Sequence, residues 1–276
     1  MKSAPFAYHD PTTIGECLDL LAEHGSSAGP LAGGQSLLPL LAARESRIGH
    51  IVDLRRVAGL AGRIVGENGV RVAAMTTQRA VERDHVLRAA APAFAEAVKL
   101  LGPAQVRARG TIGGALACAH PASVLPATAV ALDSEIELAG NGPRAVPAEQ
   151  FFLAAHRTAA KQGQLITGLR MPHWPADGRF AIEQIVPWGA RYPLAGAVAA
   201  LTAGSCRLVL FGLTPAPVRA VAAGLAITEH ADPAEAVGDG VRQLSGRMTA
   251  VGLRMAEHVL RTVADRVIRN RRLGEE

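Results

Sequence analysis

The chain has 276 residues, of which 49% are hydrophobic and 19% charged, and its formal net charge is +5. This length suits two or three packed units, and the composition is that of a globular protein with a substantial core. The modest charge, with no basic residues interleaved with aromatic ones, argues against nucleic-acid binding.

The cysteines argue against a disulfide framework, a zinc site or an iron–sulfur cluster on this chain. Cys17, Cys118 and Cys206 are odd in number and form no CxxC pair. The amino-terminal stretch "MKSAPFAYHDPTT" lacks the apolar run of a signal peptide, and no stretch reaches the roughly 20 apolar residues of a membrane span. We therefore expect a cytoplasmic chain with no membrane span.

The first 55 residues predict a small αβαβ unit. We place its first helix in "TTIGECLDLLAEHGSSAG", with Thr12 or Thr13 as the N-cap, Glu16 in a capping box and Gly25 as the stop.

The same unit contains the adjacent pair Gly33 and Gly34. We predict a short strand at residues 31–32, the glycine turn, a helix over about residues 37–44 with Ser36 as its cap, and a strand in "HIVDL". A Gly-Gly pair alone is ordinarily a tight turn. A turn between a strand and a helix also exposes backbone N–H groups, and glycines let a phosphate approach them closely. Neither the Lys-Ser/Thr of a P-loop nor a GxGxxG motif is present.

We predict a second unit over residues 56–176. It opens with a hairpin in "RIVGENGVRVAAM", turned at Asn68 and Gly69, and continues with two helices separated by Pro92. A second Gly-Gly pair follows in "RGTIGGALACAHP". A hairpin turned at residues 140–143 and a strand in "QLITGLRMP" complete the unit.

The stretch "HWPADGR" marks a domain boundary, so the third unit covers residues 177–276. We predict a three-stranded antiparallel sheet from "FAIEQIV", "LAGAVAALTAG" and "CRLVLFGL". Helices follow in "PAPVRAVAAGLA" and "DPAEAVGDGVRQLS", and a long closing helix begins near residue 249. The arginines at its end either complement the helix dipole on a solvated face or dock an acidic partner.

Two glycine loops in adjacent units suggest one shared ligand. Gly113 and Gly114 follow a polar segment, as Gly33 and Gly34 do, and Thr111 stands just before them. If both loops face a crevice between the units, they would together hold the two phosphates of a dinucleotide.

These residues resemble a known family. The succession of "LAGGQSLLPL", "RGTIGG" and, in the last third, "LTPAPVRA" is similar to the FAD-binding medium subunit of molybdenum hydroxylases, which carries a PCMH-type FAD-binding domain. Carbon monoxide, xanthine and nicotine dehydrogenases belong to this group, and the resemblance covers nearly the whole chain. It implies an α+β fold. An N-terminal FAD-binding domain of two α/β subdomains, residues 1–55 and 56–176, precedes a C-terminal domain, residues 177–276, with a three-stranded antiparallel sheet and a helical bundle.

The resemblance also implies a function in electron transfer. In such enzymes a molybdenum cofactor on a large subunit oxidises the substrate, and [2Fe–2S] clusters on a small subunit relay the electrons. FAD on the medium subunit passes them to an external acceptor. For this chain we therefore expect FAD as the cofactor, both partner subunits in an (αβγ)2 assembly, and no catalytic or metal-ligating residue of its own.

The family's two loops hold the FAD pyrophosphate and nearby atoms, and Tyr192 falls where the family often has an aromatic residue close to the isoalloxazine ring. His120 is equally a packed or surface histidine, Arg109 equally a structural ion-pair partner, and Cys118 is more readily a packed thiol than a redox group. The expected cofactor-binding residues are Leu31, Ala32, Gly33, Gly34, Gln35, Ser36, Leu37, Arg109, Thr111, Ile112, Gly113, Gly114, Ala115, His120, Ser123, Val124, Ile166 and Tyr192.

The segment after the second loop departs from the family pattern. Cys118 replaces a common His, while His120 and Val124 replace common Asp residues, and Ala108 stands where Asn is usual. Val124 cannot accept a hydrogen bond, and the loss of one costs about 1 kcal/mol. Either His120 or Ser123 compensates, or flavin binding is weaker or altered.

Two alternatives remain open on the residues alone. The first is an interaction subunit that keeps the fold but binds little or no flavin, which the altered "CAHPASV" segment motivates. The second is a stand-alone FAD oxidoreductase of the vanillyl-alcohol-oxidase-like class, although no covalent His or Cys attachment motif is apparent.

Overall fold

The structure is a computed structural model, and it describes residues 4–141, 144–229 and 232–272. Helices and strands are mixed along the chain, and the predicted α+β class is confirmed. None of the helices in these ranges combines the length and apolarity needed to cross a bilayer.

The first unit is built on a three-stranded parallel sheet in the order β1-β3-β2. The prediction missed β1, whose residues are mostly exposed and form a strand because β3 offers them a parallel partner. The elements are β1 (Ala7–His9), α1 (Ile14–His24), β2 (Ala28–Leu31), α2 (Leu37–Ala42) and β3 (His50–Asp53).

The first helix begins as its capping residues predict. The hydroxyl of Thr13 accepts the N–H of Glu16 at 3.2 Å, and the Glu16 carboxylate accepts the N–H of Thr12 at 2.7 Å. Ser36 is the N-cap residue of α2, as predicted, but its side chain makes no capping hydrogen bond. Its hydroxyl instead points to the Sγ of Cys118 at 3.6 Å, so this side chain connects the first glycine loop to a residue that follows the second.

The second unit contains a five-stranded antiparallel sheet in the order β4-β5-β10-β6-β7 and a separate pair of short strands. Its elements are β4 (Arg63–Gly66), β5 (Gly69–Ala73), α3 (Gln78–Arg83), α4 (His85–Ala90), α5 (Pro92–Lys99), α6 (Ala104–Arg109), α7 (Ile112–Cys118), α8 (Val124–Ala131), β6 (Glu135–Ala139), β7 (Arg144–Pro147), α9 (Ala148–Phe151), β8 (Phe152–Ala154), β9 (Arg157–Thr158) and β10 (Leu165–Met171).

Two predictions for this unit need correction. Gly66 pairs with Gly69, so the first hairpin turns at residues 67–68, one position earlier than expected, and Gly69 takes φ 102°. The stretch predicted to hold two helices around Pro92 holds three, α3 to α5, because the Asp84 carboxylate accepts the N–H groups of Val86 and Leu87 and starts a new helix there.

The third unit has a four-stranded antiparallel sheet, not the predicted three-stranded one. The added strand, β14 (Val218–Arg219), pairs with β13 (Ser205–Phe211) at a place where a helix was expected. The next helix therefore begins only at Val221. The elements are β11 (Arg179–Ile185), β12 (Ala195–Thr202), β13 (Ser205–Phe211), β14 (Val218–Arg219), α10 (Val221–Thr228), α11 (Pro233–Gln243) and α12 (Ala250–Arg272).

Helix α8 joins the second and third units. Every residue of α8 is buried, and the helix contacts α5 on one side and both β12 and β13 on the other. An apolar helix without a polar face is stable only when it is buried in this way. The C-terminal sheet is therefore fixed against the unit that carries the second glycine loop.

A half-buried ion-pair network crosses the centre of the five-stranded sheet. The carboxylate of Glu137 accepts hydrogen bonds from Arg71 at 2.6 Å and from Arg170 at 2.7 Å. Gly168 lies between them on β10, and a Cβ there would fall 2.8 Å from the Glu137 carboxylate. Burial alone would raise the pKa of Glu137, but the hydrogen bonds from Arg170 and Arg71 hold that pKa below its ordinary value.

We expect Glu137→Gln to lower the free energy of unfolding at pH 7 by about 1–3 kcal/mol, because two charged hydrogen bonds lose their anion. The folded-state pKa lies below the unfolded one, so this stabilisation is present above about pH 4.3 and is lost as the pH falls through the folded pKa. Urea unfolding at several pH values measures it. Glu45→Gln, at an exposed carboxylate, is the control. A deficit that stays constant down to pH 3 would contradict the ion-pair interpretation.

Candidate functional site

The site is a cavity of about 420 Å³ in which all three units take part. Residues after β2 and residues around α7 form much of its wall, β10 contributes Ile166, and the β11–β12 connection contributes Tyr192. The volume lies in the range of ligand-binding pockets, which is about 300–1,000 Å³.

The two glycine loops are packed directly against each other. A Cβ on Gly33 would lie 2.2 Å from the carbonyl oxygen of Arg109, and a Cβ on Gly114 would lie 3.5 Å from the Cβ of Ala32. No side chain fits at position 33 with the backbones in this arrangement. The pair of loops therefore forms one continuous wall of the cavity.

The first loop offers backbone donors to the cavity. Gly34 has φ 72°, a conformation that favours glycine. The side-chain amide of Gln35 donates to the carbonyl of Gly33 at 3.1 Å and holds the turn closed. Within the described ranges, no acceptor takes the backbone N–H groups of Gly33, Gly34, Gln35 or Ser36. This loop can therefore donate several hydrogen bonds to an anionic group.

The second loop differs from our expectation, because its backbone N–H groups are already used. Ile112 donates to the carbonyl of Thr76 at 3.0 Å, and Gly113 donates to the carbonyl of Ala74 at 2.7 Å. The N–H of Gly114 reaches the hydroxyl of Thr111 at 3.1 Å. The prediction that both loops offer free backbone amides to a ligand is thus wrong for the second loop. The second loop supplies a closely packed surface and the Thr111 hydroxyl.

An unpartnered polar atom lies in the wall beside this loop. Gln78, the first residue of α3, is 5% exposed and lines the cavity. Its Oε1 has no hydrogen-bond partner among the described residues. An unsatisfied buried polar atom costs about 1–3 kcal/mol, so a ligand that pairs with Gln78 removes this cost.

A cluster of rings closes another side of the cavity. The rings of His120 and Tyr192 are stacked with centroids 3.8 Å apart and planes 14° apart, and His156 meets His120 edge-on. Burial first, and then the neighbouring His156 and Arg191, lower the pKa of His120. Its Nδ1 accepts the N–H of Ala122 at 3.2 Å, so the neutral ring carries its proton on Nε2.

Most of the predicted residues line the cavity, but three lie elsewhere. The exposed side chain of Arg109 is outside the wall, although its carbonyl packs against Gly33. Ile112 is fully buried behind the second loop, and Leu31 precedes the first loop at the end of β2. The residues in the wall are Ala32, Gly33, Gly34, Gln35, Ser36, Leu37, Thr111, Gly113, Gly114, Ala115, His120, Ser123, Val124, Ile166 and Tyr192.

Sequence reasoning missed several polar residues of the wall. Gln164 stands at the start of β10, and Gln184 and Arg191 come from β11 and the connection after it. No motif marks these positions, and Gln78 follows an ordinary helix cap at Thr77. Gln184 and Arg191 reach the cavity because the third unit packs against the first two, whereas Gln78 and Gln164 reach it through the folding of the second unit itself.

Comparison with known proteins identifies the family of this site. The family model described as "FAD binding domain in molybdopterin dehydrogenase" matches residues 4–174, which include both glycine loops. The chain belongs to this family. Its FAD cofactor and its assignment to oxidoreductases are accordingly confirmed.

Relatives extend the similarity beyond that domain. The carbon monoxide dehydrogenase medium chain of Hydrogenophaga pseudoflava is 34% identical over 78% of this chain and 77% of its own length. The caffeine dehydrogenase subunit beta of a Pseudomonas species is 30% identical over 79% of this chain and 77% of its own. A solved structure of the Hydrogenophaga pseudoflava carbon monoxide dehydrogenase superposes with a TM-score of 0.91 at 30% identity, covering 97% of this chain and 98% of that one.

The cavity residues fit FAD. The free amides of the first loop suit a diphosphate, and the glycines leave room for it to approach. The unpartnered Gln78 and the largely apolar remainder of the wall suit the ring systems of the cofactor. Of the departures from the family pattern, Cys118, His120 and Val124 all line the cavity.

We expect Gly33→Ala to weaken FAD binding about 5- to 150-fold. The added methyl group meets the Arg109 carbonyl and separates the loops, and overpacking of this kind costs about 1–3 kcal/mol. Titration with FAD, followed by flavin fluorescence, measures the change. Gly66→Ala is the matched control, because its Cβ has open space and its φ is not positive. Equal FAD affinity in Gly33→Ala and Gly66→Ala would show that the loop contact does not shape the site.

Proposed function

We propose that this chain is the medium subunit through which a multi-subunit molybdenum hydroxylase passes electrons to an external acceptor. The observation that carries the proposal is the cavity formed by two glycine loops, in a chain whose fold follows a carbon monoxide dehydrogenase chain over nearly its whole length. Bound FAD would supply the redox chemistry.

The cysteines support an electron source on another chain. Cys17 and Cys206 are buried, and burial raises the pKa of Cys17 to about 11 and that of Cys206 to about 12. Iron–sulfur clusters are bound by thiolates, which these environments disfavour. We therefore assign the [2Fe–2S] clusters to a small partner subunit and the molybdenum cofactor to a large one, in an (αβγ)2 assembly in the cytoplasm.

Each part of the wall has a distinct task in this proposal. Amides of the first loop bind the diphosphate, and the Thr111 hydroxyl and Gln78 add directional hydrogen bonds. Ile166 and Leu37 exclude water from the cofactor. We place the isoalloxazine ring beside Tyr192, whose stack with His120 gives it a rigid aromatic surface.

A surface next to the ring cluster supports contact with a partner. The β11–β12 connection exposes Val186, Trp188 and Leu194 close in sequence to the cavity residues Arg191 and Tyr192. Large apolar side chains exposed together mark interaction sites in soluble proteins. A subunit that delivers electrons to this cavity would bury them.

Purification of the native complex from its source cells, through an affinity tag on this chain, tests the assignment. We expect co-purification of a cysteine-rich small chain and a much larger chain, with flavin, iron and molybdenum in the same fractions. A Gly33→Ala complex is expected to keep iron and molybdenum but to retain less flavin, with acceptor reduction falling in proportion to the flavin lost. A chain that purifies alone and oxidises a substrate unaided would refute the subunit assignment.

Tyr192 gives a second test, specific to the placement of the flavin ring. We expect Tyr192→Ala to weaken FAD binding about 2- to 12-fold, because an aromatic pair is worth about 0.5–1.5 kcal/mol. Tyr192→Phe keeps the ring and serves as the control, with affinity close to that of the unsubstituted chain. Fluorescence titration with FAD compares the three proteins, and identical affinities would place the ring away from Tyr192.

A further inference from the structure

Three histidines outside the FAD cavity converge at one edge of the first unit. His9 belongs to β1, His24 is the last residue of α1, and His50 is the first residue of β3. One ring nitrogen from each lies within 4.8 Å of the other two, and all three residues are partly buried. These histidines are too far apart along the chain to form a metal-ligand motif. For this reason the sequence analysis predicted no metal-ligating residue.

The separations approach those of a bound metal ion. In a tetrahedral zinc site with Zn–N bonds of about 2.0–2.1 Å, two ligand nitrogens lie about 3.3 Å apart. The Nε2 of His9 and the Nδ1 of His50 are 3.1 Å apart. The rings of His24 and His50 are stacked with centroids 3.7 Å apart, and a ring nitrogen of His24 lies within 4.8 Å of those of His9 and His50.

The electrostatic surroundings suit neutral ligands around a cation. A metal ion binds the unprotonated form of a histidine, and an anionic group nearby favours a bound cation. A carboxylate oxygen of Glu23 lies 3.9 Å from the Nε2 of His24. It supplies a negative charge beside the site and a further oxygen for coordination or for a bound water.

This cluster is separate from the cofactor site, and none of its histidines lines the cavity. The cavity wall reaches Gly29 and Ile48, which neighbour the cluster in sequence. The first glycine loop follows Leu31, however, at the opposite end of β2 from Ala28, which pairs with His50. A ligand at the histidines therefore does not occupy the space assigned to FAD.

We propose that His9, His24 and His50 bind one divalent transition-metal ion of the zinc type. Imidazole nitrogens suit zinc, copper and nickel ions, whereas magnesium and calcium prefer oxygen ligands. Because the ligands come from three elements, the ion fastens the short edge strand β1 and the end of α1 to β3. It thereby stabilises the unit that carries the first glycine loop.

The test uses the full chain with any histidine tag removed and with the metals Co²⁺ and Zn²⁺ as probes. We expect one Co²⁺ per chain, with the visible absorption of a low-symmetry nitrogen site, displaced by one equivalent of Zn²⁺. Loss of a hydrogen bond that supports a metal ligand weakens metal binding about 10- to 100-fold. His24→Gln and His50→Gln each remove a ligand itself, so each is expected to weaken Co²⁺ binding by more than that. His85→Gln, at an exposed histidine remote in sequence, is the matched control.

Thermal unfolding and FAD titration distinguish a lost ligand from a damaged fold. The variants are expected to bind FAD normally, while Zn²⁺ raises the melting temperature only of the unsubstituted chain and His85→Gln. Stoichiometric metal binding that is unchanged in His24→Gln and His50→Gln would overturn the proposal. Failure of the unsubstituted chain to bind either metal would overturn it as well, without touching the flavin assignment.

Discussion

The site depends on the contact between Gly33 and the backbone of Arg109 and Gly110. Gly33 lies in the first unit and Arg109 and Gly110 in the second, and these backbones approach more closely than any side chain at position 33 would permit. This contact lets the first glycine loop and the second close into one wall. Residues of both loops line the cavity, among them Gly34 and Thr111.

The two loops have similar sequences but different physical tasks. In the first loop, residues 33–36 leave their backbone donors free among the described residues, which suits an anionic diphosphate. In the second, Ile112 and Gly113 donate to the carbonyls of Thr76 and Ala74, in the segment between β5 and α3. Those bonds hold the start of α7 against this segment. We therefore propose that the first loop binds the cofactor through its backbone and that the second holds the shape of the site.

The third unit completes the site rather than merely adjoining it. Helix α8 is buried between the second unit and the C-terminal sheet, so the β11–β12 connection has a fixed position relative to the glycine loops. That position brings Tyr192 onto His120 and brings Arg191 and Gln184 into the wall. A ligand in this cavity is therefore held by the packing of all three units.

The sequence by itself determined the local features of this protein. Thr13 and Glu16 predict the start of α1, the two glycine pairs locate both loops, and the motifs predict the α+β fold and the FAD family. These succeed because capping bonds and backbone conformation depend on near neighbours. The boundaries at residues 55 and 176 stay predictions.

Only the tertiary structure decided which polar groups remain free and which distant residues meet. The second loop's amides look available in the sequence, yet carbonyls far along the chain occupy them. Strands β1 and β14 exist because a neighbouring strand supplies their hydrogen bonds. The unpartnered Gln78 and the His9, His24 and His50 cluster likewise arise from packing between elements, because no local pattern specifies which side chains lie together after the chain has folded.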